Sequence, residues 1–247
     1  MKEEINEYYS KFREIYTKEN YPEWFKFKDK HNEKEKFGEL GYRCKCRFCP
    51  GSQINPNKVE HELGHYAILQ TPLYKDIKIV IVGNNNSWFD DKCGEKALDI
   101  AKSLKEKVPD RNFLTEGGSA YSRTLVKKFK EANAEALLRN NTVGLNRTWL
   151  QTGGSSQKIT KMKERKIEIP SLVDLCHEWT EDIVRIINPQ LLLLLGEPAK
   201  TLFKSAKGRE HQNGKFYIHG CRHPSNGGQN EFKINLEEGL QKSGLTI

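Results

Sequence analysis

At 247 residues the chain is long enough to bury one sizeable core and to carry a small appended subdomain. Its 41 Lys and Arg against 33 Asp and Glu give a formal net charge of +8, which favours a polyanionic partner, most simply nucleic acid, although an ordinary basic protein carries such an excess too. No apolar stretch approaches the roughly 20 residues of a membrane span, and Met1-Lys2-Glu3-Glu4-Ile5 has no signal-peptide apolar region, so a cytoplasmic protein with no membrane partner is expected; a monomer is expected as well.

In chain order, the first forty positions mix aromatics with charges, and Tyr9, Phe12 and Tyr16 recur at helical spacing, which predicts an amphipathic helix. Residues 41–70 are rich in Cys and His, broken by Gly and Pro, and read as loop. Three of the six Cys bunch at Cys44, Cys46 and Cys49, pointing to a metal site in a reducing compartment and not to a disulfide framework. Cys46-x2-Cys49 followed by His61-x3-His65 approximates a two-Cys, two-His zinc spacing, and a structural zinc there would staple a loop that lacks a core. Cys44, Cys46 and Cys49 form a competing set, with Cys176 as a fourth thiolate. His61-Glu62-Leu63-Gly64-His65 also matches the metalloprotease pattern, but Gly64 weakens a helix there and no third ligand is evident. Cys93 and Cys221 read as plain thiols.

From residue 77 the pattern changes. Ile77–Gly83 is a β-branched run that predicts a buried parallel strand feeding a turn. Residues 94–107 and 119–138 read as helices, Thr142–Leu150 as a second strand, and 171–187 as a helix with Leu172, Leu175, Trp179, Ile183 and Ile186 on one face. Leu191–Leu195 is the third strand, Pro198–Ser205 opens another helix, and Phe216–His219 is the fourth strand. This alternation predicts a three-layer α/β/α domain around a central, mostly parallel four-stranded sheet, spanning 73–247, with residues 1–72 as a helical, metal-binding N-terminal extension.

In such sheets chemistry gathers at the carboxyl ends of the strands, where three motifs fall. Gly83-Asn84-Asn85-Asn86-Ser87-Trp88-Phe89 joins polar recognition to a stacking surface. Asn146 sits inside an otherwise apolar strand, where a buried amide must bond the backbone or read a ligand, and an Asn amide can pair bidentately with a nucleobase edge. His223-Pro224-Ser225-Asn226-Gly227-Gly228 follows the last strand and sets an imidazole before a proline-stiffened turn rich in free amides.

In these motifs the chain resembles the uracil-DNA glycosylase superfamily. Val80–Val82 with Gly83-Asn84-Asn85 matches its strand-and-turn motif, Val143-Gly144-Leu145-Asn146 its apolar strand ending in Asn, and His223-Pro224-Ser225 its His-Pro-Ser motif. Asn188-Pro189-Gln190 with Leu191–Leu195, Gly196 and Ala199 matches the connection between them. The resemblance covers residues 77 to 240. It implies that Asn85 positions the attacking water, Asn146 reads the pyrimidine edge and His223 stabilises charge growing on the base O2. It further implies that Trp88 or Phe89 stacks on the flipped base and that Ser225, Asn226 and Gly227 hold a DNA phosphate. Related glycosylases carry a four-Cys iron–sulfur cluster, which makes Cys44, Cys46, Cys49 and Cys176 the alternative to zinc at Cys46, Cys49, His61 and His65.

The departures matter equally. An amide at Asn85 cannot act as a general base; Asp90 or Asp91 stands near in sequence. Asn86 replaces the usual proline. Ser87 stands where the uracil-selective branch has a tyrosine that blocks substituents at pyrimidine C5, and Asn226-Gly227-Gly228-Gln229-Asn230 replaces the usual apolar wedge. Together they favour a C5-modified or mismatched pyrimidine, and a branch of the superfamily excises glucosylated hydroxymethylcytosine from phage DNA. The expected activity is therefore that of a monofunctional DNA glycosylase, since no lysine stands out as a Schiff-base nucleophile. A uracil or mismatch repair enzyme is the alternative, and a metal-dependent peptidase or a non-catalytic DNA-binding module stands further off. Arg123, Lys127, Lys128, Arg139, Lys158, Lys161, Lys163 and Arg165 are candidate phosphate contacts.

Overall fold

The computed structural model describes residues 1–17, 19–20, 68–86, 107–116, 120–151, 170–203, 210–212, 216–224 and 228–245. Helix α1 (Lys2–Ile15) turns Ile5, Tyr9 and Phe12 inward and ends where Tyr16 caps it through its backbone N–H to the Phe12 carbonyl. Then come strand β1 (Ile79–Asn86), the short helix α2 (Phe113–Glu116), α3 (Ala120–Glu131), α4 (Glu135–Asn140) and β2 (Thr142–Gln151). The remainder is α5 (Pro170–Ile187), β3 (Leu191–Leu195), the single turn α6 (Gly196–Ala199), β4 (Glu210–Gln212), β5 (Tyr217–Cys221) and α7 (Gln229–Lys242).

The sheet order is β2-β1-β3-β5-β4. β1, β2, β3 and β5 run parallel, and β4 pairs antiparallel with β5. The four strands expected from sequence are present, and the three-residue β4 is an addition, too short to leave a pattern. The helix expected over 119–138 is two helices, because Asn133 adopts a left-handed φ of 55° between them. The helix expected from Pro198 starts two residues earlier and lasts four, after Gly196 takes φ 79° directly off β3. Most of the helix expected at 94–107 lies outside the described residues.

Alternation along the strands builds two cores, one on each face. Val80, Val82, Val143, Leu145, Trp149, Leu192, Leu194 and Ile218 pack with α1 and α5 on one side. Ile79, Ile81, Leu191, Leu193, Leu195 and Cys221 pack with α2, α3, α4 and α7 on the other. All five leucines of β3 are buried because β1 and β5 flank it and helices cover both faces, which explains a run without polar alternation. Burying each such side chain contributes about 1.5–3 kcal/mol. α1 shares the first core outright, stacking Phe12 on Tyr16 and packing it at 5.1 Å from the Trp149 ring.

From β1 the chain steps outward to β2, then returns across β1 to form β3 on its other side. That reversal makes the carboxyl end of β1, between β2 and β3, the topological switch point of the sheet, the kind of place where open α/β sheets bind ligands.

Candidate functional site

Asn146 is fully buried on β2, directly beside Gly83 of β1 in parallel register. The two positions share the sheet face that carries α2 and α3, since Gly144, two residues before Asn146, packs on Leu114. A Cβ at Gly83 would stand 3.3 Å from Asn146 Oδ1, so glycine there lets the amide lie against the β1 backbone. The burial expected of a recognition amide demands a partner, and Gln70 supplies one: its Nε2 donates to Asn146 Oδ1 at 3.1 Å.

Gln70 had no place in the sequence reading. It comes from a short segment that runs antiparallel past β2 through a bridge between Leu69 and Leu145. Gln70 N–H donates to the Gly144 carbonyl and Phe113 N–H to the Gln70 carbonyl, both at 2.8 Å. Tyr9 of α1 accepts from the Leu69 N–H at 3.1 Å, which ties the N-terminal helix to this segment. The only hint in sequence was the apolar pair Ile68-Leu69 ahead of Gln70-Thr71-Pro72.

The Asn146 backbone is anchored from the opposite face. Thr180 of α5 donates its hydroxyl to the Asn146 carbonyl at 3.1 Å and accepts the Trp149 indole N–H at 3.0 Å, all three groups being buried. Next to it Arg147 is half-buried, with Nη2 3.4 Å from His177 Nδ1, and Thr148 Oγ1 is 3.4 Å from His177 Nε2. Loss of hydration lowers the Arg147 pKa, with the Asp174 charge opposing that shift.

His223 lies two residues beyond β5, half-buried, its ring stacked on Tyr121 of α3 with centroids 5.4 Å apart and planes 22° from parallel. Burial pushes the His223 imidazole below its ordinary range and the Tyr121 phenol well above its own. The turn closes back tightly: a Cβ on Gly228 would meet Arg222 Cβ at 3.1 Å and the His223 carbonyl at 3.2 Å. Arg222 is held by its N–H to Asn235 Oδ1 and by Nη1 to Glu231 of α7 at 3.0 Å. Asn146, Gly83 and His223 thus occupy the same end and the same face of the sheet.

Asn85 stands on β1 opposite Thr148, one residue before a bulge that separates it from Asn86. Ser87, Trp88 and Phe89 lie outside the described residues, as do Ser225, Asn226 and Gly227. So do Cys44, Cys46, Cys49, His61 and His65; among the described residues no three His, Cys, Asp or Glu cluster as a metal site. Cys176 is buried in the core with Trp149, its thiol pushed up to about 12 by loss of hydration. Cys221 is likewise a buried free thiol.

Of the candidate phosphate contacts, Lys128 is corrected. It is buried, and its ammonium is 2.7 Å from Glu131 Oε2, so it is no part of a solvated cationic face. Arg139 pairs with Glu135 at 2.7 Å, and Lys127 lies 3.9 Å from Glu131. Lys158, Lys161, Lys163 and Arg165 lie outside the described residues. Among the described residues no helix is long and apolar enough to cross a membrane. The chain matches no protein-family model and no curated protein sequence.

Proposed function

We propose that the chain is a monofunctional DNA glycosylase of the uracil-DNA glycosylase type, acting on a C5-modified pyrimidine such as glucosylated hydroxymethylcytosine of phage DNA. The observation that carries this reading is the buried Asn146 amide beside Gly83, at the same end and face of a parallel sheet as the stacked His223. A base-releasing site needs those two elements: an amide that reads a pyrimidine edge and a donor for the charge that grows on the leaving base.

In this reading the extruded base lies against the carboxyl ends of β1 and β2, and extrusion costs a few kcal/mol. Asn146 pairs with its Watson–Crick edge. As the bond between C1′ and the base nitrogen breaks, its electron pair leaves with the base, and His223, kept neutral by burial, donates a hydrogen bond to O2. A water placed by Asn85 adds its oxygen to C1′ and gives up a proton to solvent, while the departing base anion takes up a proton from solvent at its ring nitrogen, giving an abasic site and the free base. With an amide at 85 the water is placed but not deprotonated, so the reaction leans on stabilising the departing base. The segment carrying Cys46, Cys49, His61 and His65 has a donor set that suits a structural zinc, and no step of the reaction involves it.

The test is a panel of duplexes carrying uracil, a thymine mismatch, hydroxymethylcytosine or its glucoside, scored for abasic sites with the wild type and with His223→Ala. Release of a C5-modified base that His223→Ala abolishes is the expected result. Uracil as the sole good substrate would select the repair alternative. Tight duplex binding with no base release would select a binding module.

A further inference from the structure

We propose that Gln70 determines whether the site accepts a 4-amino or a 4-oxo pyrimidine, by fixing which way the Asn146 amide is turned; this rests on the glycosylase reading above. A carboxamide has a donor end and an acceptor end of nearly equal shape, and half a turn exchanges them. A 4-oxo ring presents an acceptor at position 4 and a donor at N3, whereas a 4-amino ring presents the reverse. For a base held in one pose, the two rings therefore require opposite turns of the same asparagine.

A carboxamide with no neighbour to orient it could serve both. Gln70 removes that freedom, because its Nε2 hydrogens point at Asn146 Oδ1 across 3.1 Å. Turning Asn146 over would set two N–H donors face to face, in a place where both residues are buried and an unmet donor is costly. The pair must turn together or stay as it is. The backbone holds residue 70 in place: its N–H and C=O are bonded to Gly144 and to Phe113 at 2.8 Å each, and the neighbouring Leu69 N–H is bonded to Tyr9. The Asn146 carbonyl is held in turn by Thr180. Both amides thus hang from anchored backbone, and the turn of the paired side chains carries the choice of base.

Two substitutions separate this role from simple support. Gln70→Glu puts acceptors where the donor was, which draws Asn146 Nδ2 toward residue 70 and reverses the amide. Gln70→Met keeps the length and removes the constraint. The backbone anchors of residue 70 remain in both.

The experiment compares kcat/KM on duplexes that differ only at position 4, hydroxymethylcytosine against hydroxymethyluracil and cytosine against uracil, with melting curves to verify folding. The wild type is expected to prefer one ring of each pair. Gln70→Met should shrink that preference by about tenfold or more, the scale of discrimination that a bidentate contact provides, and Gln70→Glu should invert it. If Gln70→Glu does not fold, the shrinkage in Gln70→Met decides. If the wild type releases bases and both folded variants lose activity equally on both rings, Gln70 is mere support and the proposal is overturned while the glycosylase reading stands. If the wild type releases no base from any duplex, the reading itself fails and the proposal with it.

Discussion

Thr180→Val is the sharpest probe of how the core holds the candidate site. Valine matches threonine in shape, so the change replaces a hydroxyl by a methyl without opening a cavity. Thr180 is fully buried and its hydroxyl serves two groups, the Trp149 indole N–H at 3.0 Å and the Asn146 carbonyl at 3.1 Å. Each buried polar group stripped of a partner costs about 1–3 kcal/mol. The carbonyl has a second lone pair and falls at the lower end, so the pair should cost about 2–4 kcal/mol. For a chain of this length that lowers Tm by about 4–16 °C. Urea denaturation followed by tryptophan fluorescence, with calorimetry alongside, measures both quantities. Thr180→Ser is the control: it keeps the hydroxyl and should lose only about 0.8 kcal/mol for the missing methyl. A Thr180→Val protein no less stable than Thr180→Ser would refute the argument, because it would mean that the hydroxyl holds neither group.

Three more perturbations test other parts of the molecule. Because burial depresses the His223 pKa, its contribution to stability is complete above the unfolded value of about 6.5 and is lost as pH falls through the folded value; thermal melts from pH 7.5 down to pH 5 should therefore show a steeper loss in the wild type than in His223→Gln, and parallel slopes would contradict this. Gly144→Ala places a Cβ 3.0–3.1 Å from three carbons of Leu114, so overpacking should cost about 1–3 kcal/mol in urea denaturation, and Leu114→Ala in the same chain should recover part of it. Phe12→Ala empties a fully buried ring position beside Trp149 and should cost about 3–5 kcal/mol; a cost near zero would show that α1 is dispensable to the core.

The parts of the fold visible in sequence were those with strong periodicity. Ile79–Val82 and Leu191–Leu195 announce themselves because central parallel strands are apolar on both faces, and α5 because its inward residues recur every three or four positions. What stayed hidden depended on single residues or on distant partners. Asn133 splits a long helix through one left-handed φ, which asparagine tolerates but does not require. α7 leaves a weaker trace, although Phe232, Leu236 and Leu240 recur at helical spacing, because Asn235 and Gly239 between them are poor helix formers. In the site, Asn146 and His223 stood out as polar residues in apolar or turn contexts, and the sheet brings them to one end and face. Gln70 could not be foreseen, since its meaning lies in a hydrogen bond spanning 76 positions of chain, and Tyr121 acquires its part only by stacking on a ring far away in sequence.

The segment that delivers Gln70 also changes what the sheet presents to other molecules. The rim of β2 would otherwise offer an unpaired amide and carbonyl at Gly144, a template on which a foreign strand can add. Instead Gly144 accepts from the Gln70 N–H and donates to Thr71 Oγ1, and Leu69 bridges Leu145. At the far side the last strand, β4, is only three residues long, too short to recruit a stable partner. Shortening or uncoupling residues 68–71 should therefore leave a protein that self-associates through β2, so this stretch guards the chain against aggregation.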